Sequence, residues 1–394
     1  MPPSERLTFS HLHQEPFRLF FPVATMAGLV GVSLWLPMLL GWTSDYPGVA
    51  HARLMVQGFF SGFIFGFLGT SLPRLLEVPM LTAKEALPLL ALHVATFVAH
   101  TLGATVVGDG LFAGEVILWF ALLKGRCHAK RDLPPPSFVL LGLAFACGLV
   151  GTGLFHAARN WELAAEWELL AKLLSYHAFV LLCVLGAGGF LLPRFLGLGV
   201  RRKFAPASTV TPEWRAAARF AGVVGLFLVG SYALEASGWA RGAVTLRAAL
   251  IVGFLWRELP LERLRWTWSG VQWLLVVGLA CLPLGVLASG WLPGWRVGMS
   301  HLELLGGLGL ITFGVATRVV FGHSGQRAQL ERFHPVLTTA AGLMLLGLLN
   351  RLSGDLVPST MVSHYLYGAL CWCAGVLLWS VRVLPQVLRP DPEA

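Results

Sequence analysis

Seven stretches of this chain run for 20 residues or more without one Asp, Glu, Lys or Arg: Leu19–Ser44, Leu54–Pro73, Ala86–Gly108, Leu133–Ala158, Leu173–Pro193, Trp266–Trp295 and Leu356–Val381. A helix of about 20 apolar residues, rising about 1.5 Å per residue, crosses the hydrocarbon layer of a bilayer. Charged residues make up 12% of the chain, roughly half the share in a soluble domain. With 56% hydrophobic residues and a mean hydropathy of +0.70, the chain reads as an all-α, polytopic membrane protein whose first partner is the lipid bilayer.

Hydrophobic runs and their breaks give about twelve spans: 17–40, 51–72, 86–104, 108–123, 137–156, 173–193, 216–235, 243–257, 267–288, 298–318, 333–351 and 358–381. The fourth and eighth are the weakest, because Glu115 interrupts one and Arg247 the other. Twelve spans put both termini on one side, and that side then carries 22 of the 29 Lys and Arg residues. Positive charge marks the cytoplasmic side. The expectation is one twelve-helix domain over 1–394, with cytoplasmic tails at 1–16 and 382–394, multi-pass in a bacterial inner membrane. Met1–His13 is polar and lacks the apolar core of a cleavable signal peptide. The net charge of +9 sits in loops, where it sets orientation and gives no sign of nucleic acid as a partner. The six cysteines include no Cys-x-x-Cys, so no disulfide framework, iron–sulfur site or covalent heme attachment is read.

A polar pattern repeats through this apolar background. His177 precedes Arg194 by 17 positions, His301 precedes Arg318 by 17, and His51 and Gln57 open a helix that ends at Arg74, 17 after Gln57. Seventeen residues of helix span roughly 25 Å, a bilayer core. These are helices 2, 6 and 10, which suggests three four-helix units. Gly58, Gly62, Gly66 and Gly69 form a small-residue face on helix 2 that allows close helix approach. Asn160–Leu174, with Trp161 and Trp167 among Glu162, Glu166 and Glu168, reads as an amphipathic extension at the outer interface, an anchor or a lid.

Sorted by side, His51, His100, His156, His177, His301 and His364 fall toward the outer face, and His93 lies deeper on the face of helix 3 that carries His100. Heme b needs one or two neutral imidazoles, or His with Met, in an apolar crevice. Copper or zinc needs several nitrogen ligands at one point. His51 and His301 are the candidate heme ligands, with Met55 one turn from His51. His177, with His93 or His100, is the candidate second metal site, and His156 and His364 stand behind them. Arg53 and Arg247 are candidate cations for heme propionates, and Glu303 a candidate partner for a ligand histidine. For each histidine taken singly, an interhelical hydrogen bond or an interfacial position accounts for it as well. Arg74, Arg194 and Arg318 fit helix-end arginines reaching lipid phosphate.

Met299-Ser-His301 through Thr317-Arg318-Val-Val-Phe-Gly322-His323-Ser324-Gly325 resembles the tenth-helix signature of the NnrS family. Pro16-Phe-Arg-Leu-Phe-Phe21 resembles the family's start, and His51-Ala-Arg53-Leu-Met55 through Gly69-Thr70 and Pro73 its second helix. The family pattern on that helix is His-Ala-His-Glu-Met, so Arg53 and Leu54 depart from it. The resemblance implies an inner-membrane protein containing heme and copper and linked to nitric oxide metabolism and nitrosative stress. It would bind, sense or consume nitric oxide or another small gas, and turnover would make it an oxidoreductase with a respiratory electron donor. A topological analogy to heme–copper oxidases, with ligand histidines on helices 2, 6 and 10 of three arcs, points the same way. Two readings from other classes stand beside it: a transporter using the histidines as proton or ion relays, and a cofactor-free assembly factor.

Overall fold

The computed structural model describes residues 9–204, 206–266, 269–330 and 333–390. Residues 1–8 and 391–394 of the two expected tails lie outside the described residues. Twelve long helical passes follow one another: α1 (Phe17–Leu39), α2 (Gly48–Leu75), α3 (Ala83–Thr101), α4 (Thr105–His128), α5 (Pro136–Asn160), α6 (Ala165–Phe195), α7 (Pro212–Ala236), α8 (Ala240–Glu258), α9 (Gly270–Trp291), α10 (Pro293–Gly322), α11 (Pro335–Leu356) and α12 (Pro358–Leu388). Among the described residues there is no strand.

Ten of these helices are long and apolar enough to cross a membrane, which makes the chain a multi-pass membrane protein. The other two are α3 and α8, of 19 residues each. Weakness was expected at the fourth and eighth spans. The eighth is short of apolar length, but α4 is a full 24-residue span. Glu115 does not break it, because the side chain faces inward to His93 instead of lipid. The third helix is polar instead at its start, where Lys84 and Glu85 fall in the first turn and Glu85 closes a capping box with Thr82.

Nine helices pack side by side in a closed ring, in the order α1, α3, α4, α5, α7, α8, α9, α11, α12 and back to α1. The three left over, α2, α6 and α10, fill the middle. In their most apolar stretches 83%, 67% and 72% of residues are buried, against 33–50% for the seven ring helices apolar enough to compare. The same step recurs in each set of four: the first, third and fourth helix go to the ring and the second goes inside. The three units read from the His-to-Arg spacing are thus laid out around a common centre.

Small residues allow this packing. In lipid, helices gain little from burying apolar surface and associate through close fit. A Cβ on Gly62 would lie 2.7 Å from that of Ala24 on α1, and one on Gly66 would lie 3.0 Å from the Phe17 Cα. Between α9 and α10 the approach is closer still: a Cβ on Gly285 would sit 2.2 Å from the Glu303 backbone nitrogen.

Each central helix also widens into a π-helical stretch: Leu54–Phe60 in α2, Leu173–Ala178 in α6 and Leu302–Gly309 in α10. His51 lies one turn before the first, His177 lies within the second, and His301 immediately precedes the third. A π turn shifts side-chain direction locally and is common where function demands an unusual aim. The segment read as an amphipathic extension is partly absorbed into α6, which begins at Ala165, and Trp161 and Trp167 are 67% and 51% exposed.

Candidate functional site

His51 and His301 face each other across the α2–α10 junction. Their rings are nearly parallel, 14° apart, with centroids separated by 6.5 Å. Rings in face contact would sit at about 3.5–4 Å, so these two stand apart. Each ring is oriented by its other side. His51 Nδ1 lies 2.9 Å from the Gly31 carbonyl of α1, and His301 Nδ1 lies 2.7 Å from the Val297 carbonyl one turn back. A carbonyl only accepts, so both Nδ1 atoms carry the proton and donate. Each Nε2 therefore keeps its lone pair, the tautomer a metal requires.

The surroundings fix this arrangement. Trp35 meets the His51 ring edge-on at 5.7 Å. Met55 packs beside Gly31, where a Cβ would lie 3.3 Å from its sulfur. Arg351 of α11 lies within electrostatic reach of both imidazoles. It pairs with Asp355 at 2.7 Å, lies over the Tyr365 ring at 4.2 Å, and Tyr365 also bonds Asp355. Gly298 makes room for this cluster, since a Cβ there would lie 2.0 Å from Asp355 Oδ2. Arg351 escaped the sequence reading because an arginine near a helix end is ordinarily a solvent-reaching residue, and nothing local ties it to α10.

The remaining histidines do not gather with this pair. His177 Nδ1 bonds Glu303 at 3.0 Å, His93 Nδ1 bonds Glu115 at 3.2 Å, and His100 Nε2 bonds Gln57 at 2.7 Å. His177, His93 and His100, the candidate second metal site, are each engaged by a different polar partner on a neighbouring helix. His364 bonds Ser353 at 2.5 Å, and His156 is exposed. Among the described residues no three His, Cys, Asp or Glu side chains come together to hold a metal ion. Glu303 is buried and does orient a histidine, but that histidine is His177 on α6.

Arg53 and Arg247 likewise have other commitments. Arg53 forks onto Asp109 at 2.7 and 3.1 Å, bonds Tyr176 and lies 3.8 Å over Phe155. Arg247 pairs with Glu235 at 2.8 Å, with Ser231 at 3.0 Å and Tyr232 beneath it at 3.5 Å. Both guanidiniums are neutralised by protein carboxylates, which removes the free charge a propionate would seek. Each carboxylate lies on a different helix from its arginine, Asp109 on α4 and Glu235 on α7, so composition alone did not show the pairing.

At the opposite end of the central helices, Glu15 joins the start of α1 to the ends of α2 and α10. It pairs with Arg18 at 2.6 Å, with Arg74, and with His323 at 2.9 Å. Burial opposes its ionisation, but the hydrogen bonds and charges of His323 and Arg18 outweigh that and hold its pKa at about 2. Arg194 and Arg318, the other two repeat arginines, lie over Phe190 and Phe195 at 3.6 and 5.6 Å.

Comparison with known proteins agrees with this architecture. The family model described as NnrS protein matches residues 11–390. Among solved structures, the chain resembles the cryo-EM structure of a heme–copper terminal oxidase dimer, at TM-score 0.58 and 13% identity, over 98% of this chain and 85% of that one. At that identity the likeness is one of fold. No curated protein matches the chain.

Proposed function

Because the chain belongs to the NnrS family, we propose that it is a heme protein of the bacterial inner membrane that binds nitric oxide or a similar small gas. His51 and His301 would hold one heme b between them. Its termini lie in the cytoplasm in this reading, supported by the side that carries 22 of 29 Lys and Arg residues.

The observation that carries the proposal is the paired imidazole geometry. A metal–nitrogen bond is about 2.0 Å and a nitrogen lies about 1.1 Å from its ring centre, so two imidazoles on one iron have centroids about 6.3 Å apart. The two rings stand 6.5 Å apart with both Nε2 lone pairs free by tautomer. Arg351 lies within electrostatic reach of that pair, with its charge already met by Asp355. Heme, when bound, would supply a one-electron carrier and a site for a diatomic gas. The chain's own part is to fix both tautomers through Gly31 and Val297, with Trp35 set edge-on against the His51 ring. Copper finds no matching donor set among the described residues.

Heme extracted as its pyridine complex from purified protein tests this reading. About one heme b per chain is expected, and His51→Leu with His301→Leu removes it. Heme-free protein from heme-replete cells, or undiminished heme in the double variant, overturns it.

A further inference from the structure

The wedge between α2, α3 and α4 holds polar groups that the His51–His301 pair does not use. His93 and Glu115 are both 0% exposed and face each other at 3.2 Å. Both Glu115 oxygens lie 3.2 Å from His93 Nδ1, while His93 Nε2, Thr96 Oγ1 and His100 Nδ1 have no hydrogen-bond partner. His93, Thr96 and His100 share one face of α3, three and four residues apart. His100 passes on to Gln57 at 2.7 Å, Gln57 to Asp109 at 2.9 Å, and Asp109 to Arg53, which bonds the half-buried Tyr176. The run starts at the His51 end of the helices and stops at His93. Below it, Phe20 and Phe65 pack on the His93 ring at 5.3 and 6.4 Å, and Trp119 stacks on Phe65.

We propose that this wedge is a blind proton well, with an exchangeable proton held by Glu115 and His93 at its base. Isolated charge is costly in a medium without water, whereas a carboxylic acid beside a neutral imidazole is uncharged. Moving the proton from Glu115 to His93 Nδ1 breaks one O–H bond, forms one N–H bond and leaves the total charge unchanged. The bonded run from His100 through Gln57, Asp109 and Arg53 leads from the base toward the half-buried Tyr176. Among the described residues, the titratable and charged groups facing the well are His93 and His100 from α3, Asp109 and Glu115 from α4, Arg53 from α2 and Tyr176 from α6, while α1 contributes the apolar Phe20 and Ala24. A structural hydrogen bond would need one buried partner for each atom, and His93 Nε2, Thr96 Oγ1 and His100 Nδ1 have none.

The proposal is independent of iron, so it stands or falls apart from the heme reading. Infrared absorption of the purified full chain tests it. A protonated-carboxyl C=O stretch is expected that disappears in Glu115→Gln and moves to lower frequency when the solvent is exchanged for D2O. His100→Leu should keep the band but slow its exchange at least tenfold. A spectrum with no band sensitive to Glu115→Gln, a band that never shifts in D2O, or unchanged exchange in His100→Leu overturns the well. Should Glu115→Gln fail to fold, the D2O shift and its slowing in His100→Leu still decide the matter.

Discussion

His177 of α6 and Glu303 of α10 are joined by a 3.0 Å hydrogen bond between two central helices, 126 residues apart in sequence. Glu303 is 1% exposed, so its carboxylate makes the bond where water is no alternative, while His177 is half-buried. It lies beside the π-helical stretch of each helix, at the level of the His51–His301 pair. The centre of the molecule is therefore held by polar contacts as well as by close glycine packing.

Glu303→Leu strands the His177 Nδ1 hydrogen in an apolar setting and should cost about 1–3 kcal/mol. A lowered thermal midpoint in detergent would report it. Replacing both residues, His177→Leu with Glu303→Leu, should recover part of that loss, giving a coupling of at least about 0.5 kcal/mol. Strictly additive effects would mean the contact does not hold the two helices together.

Gly62→Ala should be far more harmful than Gly114→Ala. The added methyl at Gly62 meets Ala24 at 2.7 Å and His93 at 2.6 Å, whereas at Gly114 nothing lies within 4 Å. Overpacking of this kind costs about 1–3 kcal/mol, and the Gly114 variant should lie within about 0.5 kcal/mol of the parent. Thermal unfolding of both variants in the same detergent makes the comparison.

Glu15 gives the fold an acid-sensitive tie. Its folded pKa, about 2, lies below the ordinary value of 4.5. A depressed carboxyl stabilises above its unfolded pKa and loses that contribution as pH falls through the folded one. The thermal midpoint of the parent should thus exceed that of Glu15→Gln at pH 6, by an amount corresponding to at most about 3 kcal/mol. The gap should shrink between pH 4.5 and pH 2. A gap that stays constant over that window would show that the pairing with Arg18 and His323 contributes little.

Much of the layout was legible because spacing encodes depth. Seventeen residues from an imidazole, or on α2 from the Gln57 amide, to a guanidinium marked α2, α6 and α10, and the structure places those three inside the ring. Glycine at 58, 62, 66 and 69 marked the α1-facing side of α2. What the sequence did not reveal is who faces whom. Arg53 and Arg247 looked free because Asp109 and Glu235 lie on other helices, and Glu115 looked like an interruption until His93 stood opposite. The π-helical stretches have no residue signature, since Leu54–Phe60 and Leu302–Gly309 read as ordinary apolar helix. His93, His100 and His177 share a half of the membrane, yet depth alone did not distinguish sharing a level from sharing a ligand.

The most direct test of the account is electron paramagnetic resonance of the oxidised, purified protein together with its single variants His51→Ala and His301→Ala. Two axial imidazoles give a low-spin ferric signal in the parent, and each single variant should convert it to high-spin iron or lose the heme. A low-spin signal that persists unchanged in both variants, or a parent protein with no heme signal, would contradict the assignment of His51 and His301 to one iron.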